Sequence, residues 1–227
     1  MTRTWFRVAR AAATAQHVAA TAFQIAAFWS TFLWILPAAV QRLGTMVGEP
    51  SFALPWLAWF GPLLFALASG LGLASAFWMC TRGHGTPLPM ATARDFVDSG
   101  PYRWLRNPMA LAGIAQGFAV GLWRDSPLVV LYATAGGFLW HTAARPPEER
   151  DLLARFGARY ADYRRAVPLW LPRFGSRVGD GAVAGGLVLL TILLVLGRGE
   201  TGIARLALVP ALLLLAQQLL RPERWPR

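Results

Sequence analysis

Long apolar blocks alternate along this chain with short arginine-bearing segments, and that alternation leaves few folds open. A helix needs roughly 20 mainly apolar residues to cross the ~30 Å hydrocarbon layer of a bilayer. Six blocks approach that length, at about 17–40, 54–79, 109–123, 127–144, 182–196 and 203–220. The third and fifth are short for a full crossing. The apolar residues fill each block instead of forming one stripe, so these are not surface helices of a soluble domain. The expected fold is an all-α integral membrane protein with about six transmembrane helices.

The basic residues test this layout. All 22 are arginine, and the net charge of +11 would suggest nucleic acid in a soluble protein. Here they cluster between the apolar blocks, and no basic–aromatic platform for nucleic acid forms. With six spans, 18 arginines fall on one side and four (Arg42, Arg124, Arg198 and Arg205) on the other. By the positive-inside rule both termini face the cytoplasm, as for a protein of a bacterial inner or plasma membrane. The positive stretch Arg3 to Arg10 before the first block reads as the flank of a retained helix, not as a cleaved signal. Cys80 is the one cysteine, and no Cys/His cluster of metal-binding spacing exists.

Two polar segments interrupt the pattern, both on the arginine-rich side. Residues 81–108 contain Gly83, Gly85, Pro87, Pro89, Gly100 and Pro101, which predicts a structured loop. In residues 145–177 the part after Pro146-Pro147 predicts an amphipathic helix, with Leu152, Phe156, Tyr160, Tyr163 and Val167 on one face. Three regions follow: helices over 1–80, a core of loop, hairpin and amphipathic helix over 81–177, and further helices over 178–227.

Chemistry-bearing residues are few. Gly113, Gly117 and Gly121 share one face of the third block; they serve close helix packing, or, for the first two beside Gln116, access for a ligand. Glu148 and Glu149 adjoin the membrane surface near Arg145. They either complement a helix dipole or carry function, since charges at membrane depth are costly. His141, one turn before Arg145, reads more readily as a satisfied hydrogen-bonding residue than as a base. No Ser/His/Asp set, phosphate-binding lysine loop or metal site is present.

Taken together, the stretches GHGTPLP (83–89) and RDFVDSGPYRWLRNPM (94–109), followed one hairpin later by RPPEERDLLARFGARYADYRRAVPLWLP (145–172), resemble the isoprenylcysteine carboxyl methyltransferase family, allied to the membrane phospholipid methyltransferases. The resemblance covers roughly residues 83–172. It implies an integral membrane enzyme that transfers a methyl group from S-adenosyl-L-methionine, with the cofactor at the cytoplasmic end of the hairpin. It implies that Arg94, Asp95, Phe96, Val97, Tyr102, Arg106, Asn107 and Pro108 wall the cofactor, that Gln116 and Gly117 line it, and that Glu148 and Glu149 bind it. Arg145 and Glu148 become the expected catalytic residues, Arg145 facing the substrate. Tyr160 and Tyr163 are expected to support the second motif.

The chain departs from the family pattern at Asn107, where many relatives have His, and at Ala110, where Tyr commonly follows. Ala112 holds a usual glycine position, and Leu169 replaces a polar residue. These departures bear on the acceptor, which is a carboxylate, a lipid amine or a small thiol, lipophilic or small. Besides the acceptor, the expected partners are membrane lipids and a second copy of the chain. A scaffold that kept the architecture without activity is the competing reading, and a transporter ranks below it because no paired broken helices appear.

Overall fold

A computed structural model describes residues 7–11, 13–86 and 91–170 of the 227. The fifth and sixth expected spans, and the region 178–227, lie outside the described residues. Among the described residues the fold is all-helical, without strands.

The first helix is longer than its apolar block. Helix α1 (Thr14–Phe28) passes through a π-helical stretch (Trp29–Ile35) into α2 (Leu36–Met46), making one helix of 33 residues. Pro37 accounts for the change in winding. It has no N–H to donate and its ring crowds the preceding turn, so the register loosens just before it. Helix α3 (Leu57–Arg82) returns over 26 residues. Its bounds sit three residues later than the apolar block, because Ala53 to Trp56 are used in the turn that precedes it. These two helices are long and apolar enough to cross a membrane. At ~1.5 Å per residue they measure roughly 50 and 39 Å, so each extends past the hydrocarbon or tilts within it.

The outer surface fits that reading. Apart from Leu57 at its start, the buried residues of α3 are small (Gly61, Ala68, Ser75, Ala76 and Cys80), while Trp59, Leu63, Leu67 and Phe77 are exposed. On α1, Phe23 is 75% exposed. A soluble protein would reverse this arrangement. Small residues inside and large apolar ones outside suit helices that pack closely and face lipid.

The hairpin follows. Helix α4 (Pro108–Trp123) begins at a proline, whose missing N–H costs nothing at that position. Helix α5 (Pro127–Leu139) is capped by the Ser126 hydroxyl, which accepts from the Val129 N–H at 3.3 Å. The Glu49 carboxylate, from the α2–α3 loop, accepts from the Ser126 hydroxyl at 2.9 Å and the Leu128 N–H at 2.5 Å. Asp125 accepts from the Phe52 N–H at 2.7 Å, and Arg124 donates to Gln41 at 2.8 Å. This turn end of the molecule is thus clasped by hydrogen bonds. Gly121 lets α4 and α5 touch: a Cβ there would stand 2.7 Å from the Val130 backbone nitrogen.

One boundary is corrected. The fourth apolar block and the amphipathic helix are not separate elements. Beyond α5 a π-helical turn (Trp140–Ala144) leads without a break into α6 (Arg145–Ala166). Pro146 and Pro147 do not stop the helix. They occupy the first turn of a new register, where the widened turn has already given up the bonds their nitrogens would make. A second interruption lies at Gly157, with φ 53° and ψ −129°, a conformation that only glycine adopts readily.

Candidate functional site

The two polar segments meet at the end of the molecule opposite the clasped turn. The first runs from Gly83 through a short 3-10 turn (Gly100–Arg103) to Asn107. The Gly83 carbonyl accepts from the N–H groups of Arg94 at 2.7 Å and Asp95 at 3.2 Å, which closes this stretch on itself. Gly100 has φ 59° and lies flat on the Trp78 ring, so a side chain there would be both strained and excluded.

Helix α6 then holds the loop. Phe96 sits among Phe156, Tyr160 and Tyr163, with ring centroids 5.2, 6.1 and 5.2 Å away. The Tyr163 hydroxyl donates to the Tyr102 carbonyl at 2.6 Å, and Arg159 pairs with Asp98 at 2.9 Å. Arg155 donates to the Ala93 carbonyl and, at 3.1 Å, to the Thr92 hydroxyl. The Arg106 N–H donates to the Pro168 carbonyl at 3.0 Å. The amphipathic face read from residues 156, 160 and 163 therefore covers the loop.

At the centre is a buried charge cluster. Arg106 donates to Glu149 at 3.0 Å, and both are more than nine-tenths buried. Arg145 approaches the same Glu149 oxygen at 3.5 Å from the preceding turn. Two guanidinium groups thus share one carboxylate, which satisfies a charge that would otherwise be costly to bury. Glu148 differs. It joins no other described residue by a hydrogen bond or ion pair, and it keeps partial access to solvent. Desolvation, helped by the neighbouring Glu149 and Asp151, pushes its carboxyl up to about 7. Near it lies Tyr102, buried, its hydroxyl without a partner among the described residues. Burial first, and then Glu148, push that phenol well above its usual range, so it stays a neutral donor. Tyr160 and Tyr163 are likewise raised by burial.

The expected site residues divide accordingly. Tyr102, Arg106, Arg145, Glu148 and Glu149 gather in one place, with Asn107 and Pro108 opening α4 beside them. Phe96 and the buried Val97 are packing residues of the loop, while Arg94 and Asp95 are exposed, Asp95 pairing with His84 at 2.8 Å. Gln116 and Gly117 stand apart. Nine residues into α4, Gln116 is roughly 13 Å deeper. It donates to the Ser69 hydroxyl at 2.9 Å, and a Cβ at Gly117 would lie 3.0 Å from Ala133. Both join helices together. Gly113 alone of the three glycines faces open space.

One feature had no signal in the sequence, and another differs from its reading there. A strap from the N-terminus lies along the loop: Thr92 N–H donates to the Arg7 carbonyl at 2.8 Å, and Ala9 N–H to the Thr92 carbonyl at 3.0 Å. Such backbone pairing needs no particular side chain. The other is His141, which is buried with its Nδ1 unpartnered, contrary to the satisfied histidine expected there. Among the described residues no group of three or more His, Cys, Asp or Glu could hold a metal ion. A recess of about 360 Å³ near Leu54 and Leu122 belongs to the clasped end, away from this cluster.

Residues 56–159 match the phospholipid methyltransferase family, and this stretch contains α3 to most of α6 and every member of the charge cluster. This stretch, a little under half of the chain, is similar to the phospholipid methyltransferases. The chain is 34% identical over 157 residues to methanethiol S-methyltransferase 2 of Bradyrhizobium diazoefficiens, covering 63% of this chain and 53% of that one. It is 40% identical over 73 residues to methanethiol S-methyltransferase of Mycobacterium tuberculosis, covering 31% of this chain and 28% of that one. The chain therefore spans at most about half the length of these curated relatives. No solved structure matches it. Within the phospholipid methyltransferase match the family resemblance and the cluster coincide, since the match ends within α6, beyond Glu148 and Glu149.

Proposed function

We propose that the chain is an integral membrane methyltransferase that uses S-adenosyl-L-methionine and methylates a small thiol. The observation that carries this is Glu148: a carboxylate without a partner among the described residues, beside the Tyr102 hydroxyl that likewise lacks one there, where the two family motifs meet. A carboxylate held near neutrality and lacking a cation invites one from outside. The cofactor, when bound, supplies a methyl group already activated on a sulfonium and an ammonium group that Glu148 can pair with. Tyr102 offers a neutral donor, and the Asn107-Pro108 start of α4 closes the neighbouring wall.

The remaining residues hold these in place. Arg106 and Glu149 lock the loop to α6. Arg145 approaches Glu149 and donates to the His141 carbonyl, which ties the start of α6 to the preceding turn. The reaction is an in-line displacement, so positioning and exclusion of water carry most of the catalysis, worth on the order of 7–11 kcal/mol in favourable cases. The thiol acceptor comes from the names of the two relatives. It also suits the cluster, in which Arg106 and Arg145 are both committed to Glu149 and neither is reserved for a substrate carboxylate.

The proposed setting is a bacterial inner membrane with both termini cytoplasmic, so that the loop end meets the water-soluble cofactor. Lipids, and a second copy of the chain, are proposed neighbours of the apolar outer faces. The deciding experiment is thermal unfolding of the full chain in detergent with S-adenosylhomocysteine. Ligand at 100 times its dissociation constant should add about 2.7 kcal/mol of stability and raise the melting temperature. A protein that shows no shift at millimolar ligand is not this enzyme.

A further inference from the structure

Among the described residues of the loop end, His141 carries a buried polar atom that the reading above does not use. His141 lies in the π-helical turn at the end of α5, one turn ahead of Arg145, whose Nε donates to the His141 carbonyl at 3.4 Å. The residue is 7% exposed, and its Nδ1 has no hydrogen-bond partner among the described residues. A buried polar group left in this state costs roughly 1–3 kcal/mol, which makes a retained example a candidate for a ligand contact. Its ring stacks on Trp170 at 5.8 Å, and Trp170 meets Trp140 edge-on at 5.5 Å. The imidazole is therefore held in orientation by aromatic rings that leave Nδ1 unsatisfied. His141, Arg145 and Glu148 follow one another at four and three residues, which sets them along one side of a continuous helix. π-helical turns of this kind recur at functional sites.

We propose that His141 is an acceptor-binding and catalytic residue: its Nδ1 accepts a hydrogen bond from the S–H of a small alkanethiol and takes that proton during methyl transfer. The inference rests on the methyltransferase reading and adds to it the group that the acceptor touches. The chemistry balances. The acceptor sulfur forms its bond to the methyl carbon while the carbon–sulfonium bond of the donor breaks, and that electron pair stays on the donor sulfur, leaving a neutral thioether. The acceptor S–H bond breaks and its proton moves to Nδ1, from which water removes it after product leaves. A neutral imidazole suffices as the base. The proton becomes strongly acidic as the sulfur begins to carry the methyl group, so no prior thiolate is needed. The rings of Trp140 and Trp170 supply an apolar wall for a short alkyl group.

The test uses the full chain in detergent, with ethanethiol as acceptor probe. His141→Phe keeps the ring and its stacking on Trp170 but has no nitrogen. His141→Asn keeps a hydrogen-bonding atom near the Nδ1 position and cannot act as the base. Both variants should keep the wild-type thermal shift with S-adenosylhomocysteine. His141→Phe should weaken ethanethiol binding, measured by calorimetry on the S-adenosylhomocysteine complex, by at least about 10-fold and lower kcat/KM for the thiol by about 100-fold or more. His141→Asn should keep KM within about 3-fold while kcat falls. If wild type transfers methyl to ethanethiol and His141→Phe does so equally well, this inference is overturned and the methyltransferase reading stands. If wild type binds no S-adenosylhomocysteine and methylates no thiol, both fall together.

Discussion

Glu148 and Glu149 are neighbours in sequence and opposites in environment. Glu149 is enclosed by Arg106 and Arg145; Glu148 is held by burial first, and then by the neighbouring carboxylates of Glu149 and Asp151, toward its neutral form. For Glu148 the folded-state carboxyl is raised from 4.5 to about 7. Between those values the folded protein binds more protons than the unfolded chain, so this group's contribution to stability falls as pH rises, and the penalty is complete above about 7. Glu148→Gln removes the penalty. It should match wild type at pH 5 and exceed it at pH 8 by up to about 3 kcal/mol in detergent unfolding, while S-adenosylhomocysteine binding measured by calorimetry is lost. Stability gained and binding lost in one substitution marks a residue kept for function. Glu149→Gln should behave oppositely, losing about 3 kcal/mol or more because the buried Arg106 guanidinium, and the partly exposed Arg145 beside it, are left short of a counter-charge. Equal pH profiles for the two variants would contradict the division drawn between them.

At the scale of helices, the three glycines of α4 separate two roles that one spacing could not. Gly121→Ala would push a methyl group against the Val130 backbone at 2.7 Å and should destabilise the hairpin by about 2 kcal/mol, read from the unfolding midpoint. Gly113→Ala meets nothing within 4 Å and should be neutral or stabilising by up to about 1 kcal/mol, as helix propensity allows. The sequence placed all three on one face correctly. It could not tell which of them touches a neighbour, since that depends on where α5 crosses. The joined α5–α6 helix is the other element-scale lesson. Pro146-Pro147 reads locally as a stop, yet the π-helical turn before it absorbs the missing donors and carries the chain on. That continuity is what puts His141, Arg145 and Glu148 on a common axis.

For the molecule as a whole, the proposed topology rests on the polarity of the two ends. The loop end carries Arg82, Arg94, Arg103, Arg106 and the arginines of α6, while the clasped end carries Arg42 and Arg124 with Glu49 and Asp125. Cysteines introduced singly at Met46 or Trp123, in a Cys80→Ser background, should label from the periplasm with a membrane-impermeant maleimide. A cysteine at Arg103 should label only after the cells are opened. Labelling of all three from one side would end the proposed orientation. The exposed aromatic and leucine surface of α1 and α3 should also make the purified chain precipitate when detergent is removed without lipid.

Much of this architecture follows from the sequence because the bilayer leaves the backbone little choice: apolar blocks of sufficient length must become helices, and arginines must stay outside the hydrocarbon. The meeting of the two loops, by contrast, was readable only through the family resemblance, and no periodicity in residues 81–108 indicates that Phe96 will fit among Phe156, Tyr160 and Tyr163. Tertiary structure alone decided which charges are spent and which are spare. Arg106 lies 43 residues from Glu149; only folding brings them together, and that pairing leaves Glu148 without a cation among the described residues. Satisfaction of a buried polar group depends on its neighbours in space, and one-dimensional spacing does not record who those neighbours are.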